Sequence, residues 1–429
     1  PHEPSIWMMR LDEYFEEIER DEAAERRQLV KEKSYAITDY LEDVEHEFDQ
    51  RVSNDALLGS TAPTIFVGRS SYPNVSTGML SPVGHEERAA EFETSGEWYD
   101  RNFSIEDVFQ HRTGLVNTSQ KTDVGNVADA WNGFLGTQRE VAIADRAVDV
   151  EVGLDGPLDV DFSISEADVS SPTGPRARAK SAMLTENPHV PRPVKKTLED
   201  DDWRAEGAMN YLYNRGYDVY DINTILSAGA LGETESRRLV PTRWSITAVD
   251  DTVGKFLRGS IRNATAVDEV EVYHNTYLGN RFWVLLAPGD WEFELVELKA
   301  PGSVWNPDPE RGMWLAADRE GYDGRTSYVT ETAGAYYAAR LGVLEALEDR
   351  DRQASVLVIR HVTPEYWGPT GVWQVRETVR NAFEGEHGVA ESMGSALRGL
   401  EPNLPVSLAR LRRKSTMVAG VQSRLDAFA

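Results

Sequence analysis

The sequence predicts an α+β fold, and three observations carry that prediction. Segments with a helical apolar period and segments with strand-like alternation are both present. They do not follow one another in a βαβ rhythm, and no phosphate-loop glycine pattern joins a strand to a helix. The 429 residues, 40% hydrophobic and 9% aromatic, are ample for a buried core spread over more than one domain.

Taken in order, residues 1–50 read as charged amphipathic helices. Leu11, Tyr14, Phe15 and Ile18 share one face, and Ile37, Tyr40, Leu41, Val44 and Phe48 share another. The run from Ser60 to Arg69 reads as a short apolar strand entering a Gly/Pro/Asn-rich loop, residues 70–78, with Arg69 at its mouth. Residues 81–185 mix acidic loops with weak strands such as Val160–Ile164. Segment 171–198 is Pro-rich and locally basic, with Arg176, Arg178, Lys180, Arg192, Lys195 and Lys196. It is either a phosphate contact or a loop neutralised by nearby carboxylates.

Residues 203–232 read as helix followed by a Gly-containing loop. In the next run Trp244, Ile246 and Ala248 alternate as a strand does. Asp250 and Asp251 then fit the N-cap of a helix carrying Val253, Phe256, Leu257 and Ile261. From residue 268 the strands Val270–His274, Phe282–Leu286 and Trp291–Leu298, separated by Gly279-Asn280 and Pro288-Gly-Asp290, predict an antiparallel meander. Helix Glu331–Glu348, strand Val356–Ile359 and helix Val372–Phe383 follow.

Composition excludes several kinds of protein. There is no cysteine, which removes disulfides, thiolate nucleophiles and cysteine-based zinc sites. The eight histidines stand singly, none paired at i, i+4, so no metal site is predicted. No stretch approaches the roughly 18 apolar residues of a membrane span, and residues 1–10 lack the pattern of a secretory signal. A cytoplasmic protein is expected.

Acidic residues outnumber basic ones 72 to 45, net −27, and only nine of the basic residues are lysine. The excess runs along the whole chain, as suits a cytoplasm of molar salt, where the Debye length falls to about 3 Å and self-repulsion is screened. Contact with DNA through counterion release weakens steeply in such salt. Recruitment through apolar protein contacts is therefore expected, with any DNA contact indirect or weak.

Three runs are distinctive: RRLVPTRWSITAVDDT at 237–252, PTIFVGRSSYPNVSTG at 63–78 and GYDVYDINTILSAGALG at 216–232. They resemble the archaeal Nre family of DNA repair proteins, and the resemblance extends over nearly the whole chain. It implies an N-terminal Nre domain, a C-terminal Nre domain and a tail that binds the sliding clamp PCNA, with repair carried out alongside the UvrABC nucleotide-excision system. The corresponding divisions here are 1–50 (charged helices), 51–267, 268–400 and the 401–429 tail. Many members carry an N-terminal four-cysteine zinc finger. This chain has none, so that role does not transfer.

The tail also speaks chemically. Gln422, Leu425 and Phe428 match the clamp-binding (PIP) pattern of Gln, two residues, aliphatic, two residues, aromatic. Those offsets suit one 3₁₀ turn, in which Leu425 and Phe428 stand side by side as an apolar plug and Gln422 offers its amide. Ala429 stands where the pattern prefers a second aromatic.

For a ligand site the candidates are Arg69, Arg237, Arg238 and Arg243 as forked phosphate donors and Trp244 or Trp283 as a stacking face. Asp250 and Asp251, with Arg243, are the catalytic candidates. His274 and the Trp291-Glu-Phe-Glu294 run lie in the second domain. Two classes stay open: a clamp-recruited repair accessory factor, and a clamp-recruited hydrolase on a nucleotide-like or ADP-ribose-type ligand or on damaged DNA. No cofactor is expected, and Mg²⁺ enters only under the enzyme reading. Convergence of Arg69, Arg237, Arg243 and Asp250 on an open cleft favours the enzyme. The same residues paired off and packed favour the accessory factor.

Overall fold

The computed structural model describes residue 46 and residues 56–82, 86–128, 130–156 and 174–420. The helices expected over 1–50 (residue 46 apart), the strand at Val160–Ile164 and the motif residues Gln422, Leu425 and Phe428 lie outside the described residues. Helices and mixed sheets together make an α+β fold.

The first half builds on β1 (Ala56–Thr61), β2 (Ile65–Val67) and β3 (Asn74–Pro82). Then come α1 (Glu97–Asp100), α2 (Ile105–Thr113), β4 (Leu115–Asp123), α3 (Gly133–Ala142), β5 (Val148–Leu154) and β6 (Arg176–Leu184). The six strands form one sheet in the order β1-β5-β6-β4-β3-β2. Most of the loop read at 70–78 is thus strand, because Asn74–Gly78 pairs with Ser119–Asp123 of β4. Gly78 permits that pairing: a Cβ there would meet the Asn117 side chain at 2.3 Å and the Thr118 carbonyl at 2.6 Å. Val67, Val75, Met79, Val116, Val150 and Val152 form this sheet's core with Phe134 and Val141 of α3.

Helices α4 (Arg192–Glu199), α5 (Ala205–Tyr213), α6 (Val219–Ser227) and α7 (Thr242–Ile261) lead to the second half. The strand read at 244–248, and the cap read at Asp250-Asp251, are instead parts of the 20-residue α7. Its buried residues Ser245, Val249, Val253, Leu257 and Ile261 recur every fourth position, while Trp244, Ile246 and Ala248 lie off that stripe and are exposed or half-buried.

Next are β7 (Thr265–Ala266), β8 (Val270–Tyr277), β9 (Asn280–Ala287), β10 (Glu292–Lys299), β11 (Trp314–Glu320) and α8 (Ala333–Asp349). The described chain continues through β12 (Arg352–Gln353), β13 (Ser355–Val362), α9 (Trp373–Ala382) and β14 (Gly388–Ala390), then α10 (Met393–Leu400) and α11 (Leu408–Arg412). Sheet order is β11-β10-β13-β9-β8-β14, and β7 and β12 form a separate pair. The predicted meander holds for β8 and β9 but not for β10. Strand β13 inserts between β9 and β10 and runs parallel to β10, a crossover carried by α8.

Both faces of this second sheet are covered. Phe282, Val284, Phe293, Leu295, Val356 and Val358 pack on α7, α8 and α9, while Trp283, Leu285, Leu298, Leu357 and Ile359 meet Leu397, Leu404, Leu408, Leu411 and Val418. Helices α1 and α2, though earlier in sequence, pack on the second sheet's end through Trp98, Phe103, Val108, Tyr277 and Trp373. Among the described residues no helix is long and apolar enough to cross a membrane.

Candidate functional site

Helix α7 begins behind Pro241, whose φ of −49° directs the chain into the first turn, and its buried stripe leaves Arg243 and Trp244 on the outside. The Thr242 hydroxyl accepts the Val67 N–H at 3.0 Å, tying β2 to the helix start. Ser245 is clamped below by Ser227 at 2.6 Å and Asn223 at 2.6 Å. The turn after β2 therefore lies against the first turn of α7, and the Tyr72 and Trp244 rings meet with centroids 5.1 Å apart. Tyr72 is 51% and Trp244 44% exposed, a large apolar surface for two neighbouring side chains. The runs 63–78 and 237–252 thus meet at one surface, with Arg243 next to Trp244 in sequence and Arg69 three residues before Tyr72.

Arg237 does not join that surface. Its guanidinium is buried and donates to the Gly232 carbonyl and to the Leu198 carbonyl, each at 2.9 Å, bracketing the glycine loop after α6. Arg238 is exposed and its Nη1 donates to the carbonyls of Glu235 and Arg237. Trp283 is buried in the outer-face core, so the stacking face belongs to Trp244 alone of the two.

Asp250 and Asp251 point to different helices. Asp250 is fully buried, and Nη2 of Arg376 on α9 donates to both its oxygens at 2.6 and 2.7 Å. Burial pushes this carboxyl up, against the pull of Arg376. Asp251 accepts from Arg340 of α8 at 2.6 Å and from Lys255 at 2.6 Å. Arg340 also reaches Glu320 of β11 at 2.8 Å, and Glu320 accepts the Trp291 indole N–H. A second knot surrounds Arg380, which donates to Glu345, Glu377 and Asp218, while Tyr220 donates to Glu377 at 2.7 Å. These pairs join α6, α7, α8 and α9. Arg69, Arg237, Arg243 and Asp250 are therefore not brought to one cleft, and both aspartates have arginine partners.

The partners Arg340, Arg376, Glu377 and Arg380 were not singled out from sequence. They sit in helices of ordinary amphipathic text, and only the crossing of α7 with α8 and α9 reveals them. No group of three metal-ligating side chains occurs among the described residues.

Residues 401–420, grouped by sequence with the tail, are packed on the body. Glu294, in the buried middle of β10, accepts the Ser415 hydroxyl at 2.7 Å and the N–H groups of Thr416 and Met417 at 2.8 Å each. It thereby caps the last described helical turn, 416–420. Lys414 donates to Glu331 at 2.7 Å, a further tie of this segment to the body.

Comparison with known proteins agrees along the chain. The family model described as "Archaeal Nre, N-terminal" matches residues 29–306, and the one described as "Archaeal Nre, C-terminal" matches residues 320–428. The DNA repair protein NreA of Haloferax volcanii is 68% identical over 421 residues, covering 98% of this chain and 100% of that one. The DNA repair protein NreA of Archaeoglobus fulgidus is 38% identical, covering 80% of this chain and 83% of its own, and NreB of the same organism is 34% identical, covering 84% and 89%. No solved structure matches.

Proposed function

Since this chain belongs to the archaeal Nre family, whose named members are DNA repair proteins, we propose that it is a repair factor brought to DNA by the sliding clamp PCNA through Gln422, Leu425 and Phe428. It acts alongside UvrABC excision, as the family resemblance implies, in the cytoplasm and at the nucleoid where the clamp is loaded. The spacing of those three residues carries the proposal. Support comes from the docking of residues 404–418, so that the motif follows a defined anchor. In this reading the Tyr72–Trp244 surface faces nucleic acid by stacking, a contact that molar salt leaves largely intact.

The hydrolase alternative draws its acids from Asp250 and Asp251. Both are engaged by arginines, which favours the binding role. Titration calorimetry of the clamp against three full-length proteins in molar KCl tests the proposal. Phe428→Ala is expected to weaken binding by about 2 kcal/mol, some thirtyfold. Deleting residues 422–429 is expected to abolish binding with no change in melting temperature. Equal affinities across the three overturn the recruitment.

A further inference from the structure

The locally basic stretch that begins at Arg176 is a strand where it meets the first sheet. Arg176 and Arg178 are exposed on β6, while Ala177 and Ala179, which alternate with them, are buried in that sheet's core. Strand β6 runs parallel to β4, with Arg176 opposite Asn117 and Arg178 opposite Ser119. Strand β4 pairs in turn with β3, Ser119 opposite Gly78 and Lys121 opposite Ser76, and β3 pairs with β2, Gly78 opposite Phe66. Residues opposite one another share a face of the sheet. One row therefore crosses four strands as Phe66, Gly78, Ser119 and Arg178, with Lys121 and Arg176 to either side of its basic end. Val67, Val75, Met79 and Val116 have the opposite parity and fill the core.

This outer face is open to solvent at both ends of the row. Lys121, Arg176 and Arg178 are exposed, and Phe66 is half-buried. In a chain with 72 carboxylates, none among the described residues lies within ion-pair range of those three cations. Their neighbour Lys180 does have one, Asp155 at 3.4 Å. The aromatic end is extended by the Tyr72–Trp244 pair. Thr242 binds the Val67 N–H, which places the start of α7 beside β2, the last strand of the sheet, and Tyr72 lies in the connection from β2 to β3. Aromatic rings thus mark the β2 border of the face and cations the β4–β6 border, about 14 Å away at three strand spacings. Beyond β6 the sign reverses, since Asp149 and Glu151 of β5 have the outward parity.

We propose that this face holds a single strand of DNA, with bases stacked on Phe66, Tyr72 and Trp244 and phosphates against Lys121, Arg176 and Arg178. Separate borders for bases and phosphates suit a single strand, whose bases are free to turn to one side of its backbone. They do not suit a duplex, whose bases are stacked inside. Stacking supplies the part of the binding that molar salt spares, and the cations fix the path of the backbone. The acidic β5 border repels phosphate and confines the strand to β2–β6. The proposal rests on the nucleic-acid reading of the Tyr72–Trp244 surface and is independent of the clamp-binding tail.

The test is fluorescence anisotropy of the full-length protein with a labelled, mixed-sequence single strand of about 15 nucleotides, in KCl from molar to half-molar. Lys121→Gln combined with Arg178→Gln is expected to weaken binding and to flatten the slope of log affinity against log salt by about 1.4, at about 0.7 per phosphate. Trp244→Ala is expected to weaken binding about tenfold with the slope unchanged. These side chains are exposed, so melting temperatures should match wild type, which separates lost contact from lost fold. Should Trp244→Ala melt lower, the slope of the Lys121 and Arg178 double variant decides alone. Lys195→Gln combined with Arg398→Gln removes the same charge from exposed positions on α4 and α10 and should change neither affinity nor slope. Deleting residues 422–429 should also leave strand binding intact, so clamp binding and strand binding fail separately. A wild type that does not bind the strand overturns the proposal, as does a Lys121 and Arg178 double variant with the wild-type slope. So does a duplex or polyglutamate bound as tightly as the strand, since the face then takes any polyanion.

Discussion

Removing the Asp250 carboxylate leaves Arg376 charged and unpaired where α7 crosses α9. Asp250→Ala should therefore destabilise the protein by about 3–5 kcal/mol, the usual consequence of breaking one partner of a buried pair. Denaturant unfolding in molar KCl measures it, and a loss under 1 kcal/mol (roughly a surface pair's worth) would show the pair to be dispensable. His361 offers a pH handle. Burial, then the neighbouring Arg281, pulls its imidazole down from 6.5 to about 4. The unfolded chain takes up that proton first as pH falls, so stability present above pH 6.5 is lost progressively toward pH 4. His361→Gln should lose less stability over that window, and parallel stability curves for the two proteins would exclude the effect. At this scale the sequence was informative about types and poor about partners. Trp244 and Trp283 stood as alternative stacking faces, and only Trp244 is exposed. That Arg376 lies 126 positions from its partner Asp250 was not legible, because ion pairs between helices leave no local periodicity.

Helix α7 shows why one element was misread. Ser245 and Asp250 are buried on its inner side, so a polar residue and a charge interrupt the apolar stripe that marks a helix, and the residual pattern at Trp244, Ile246 and Ala248 mimics a strand. The helix Ala333–Asp349, the strand Ser355–Val362 and the helix Trp373–Ala382 agree with their expected bounds to within a few residues, although Arg340, Arg360, Arg376 and Glu377 are buried within them. Strand β10 was found but its neighbour was not, since an inserted parallel partner is a property of topology and not of spacing. Its Glu294 gives a prediction at the same scale. Glu294→Ala strips three acceptor contacts from Ser415, Thr416 and Met417. Amide exchange across 404–420 should speed up, with local opening made easier by about 2 kcal/mol, while β1–β6 keep their protection. Unchanged exchange in 404–420 would mean that apolar contacts alone hold the segment.

For the whole molecule the net charge of −27 dominates the response to solvent. Melting temperature should fall as KCl is lowered from molar to about 0.1 M, because carboxylate repulsion loses its screening. A flat profile would remove the case for adaptation to high salt. Two sheets with helices between them were foreseeable from the alternating patterns, whereas the packing of α1 and α2 against the second sheet, through Tyr277 and its bonds to the Trp98 and Phe103 carbonyls, was not. The Glu294 cap has a geometric consequence. Because it pins the helical turn 416–420, chain length alone limits Phe428 to roughly 30 Å from Gly420, at about 3.5 Å per residue. If the clamp holds that aromatic, the protein is on a short leash. It can sample only the DNA that emerges next to the ring, and each lengthening of the leash by inserted glycine and serine should dilute it over a larger volume.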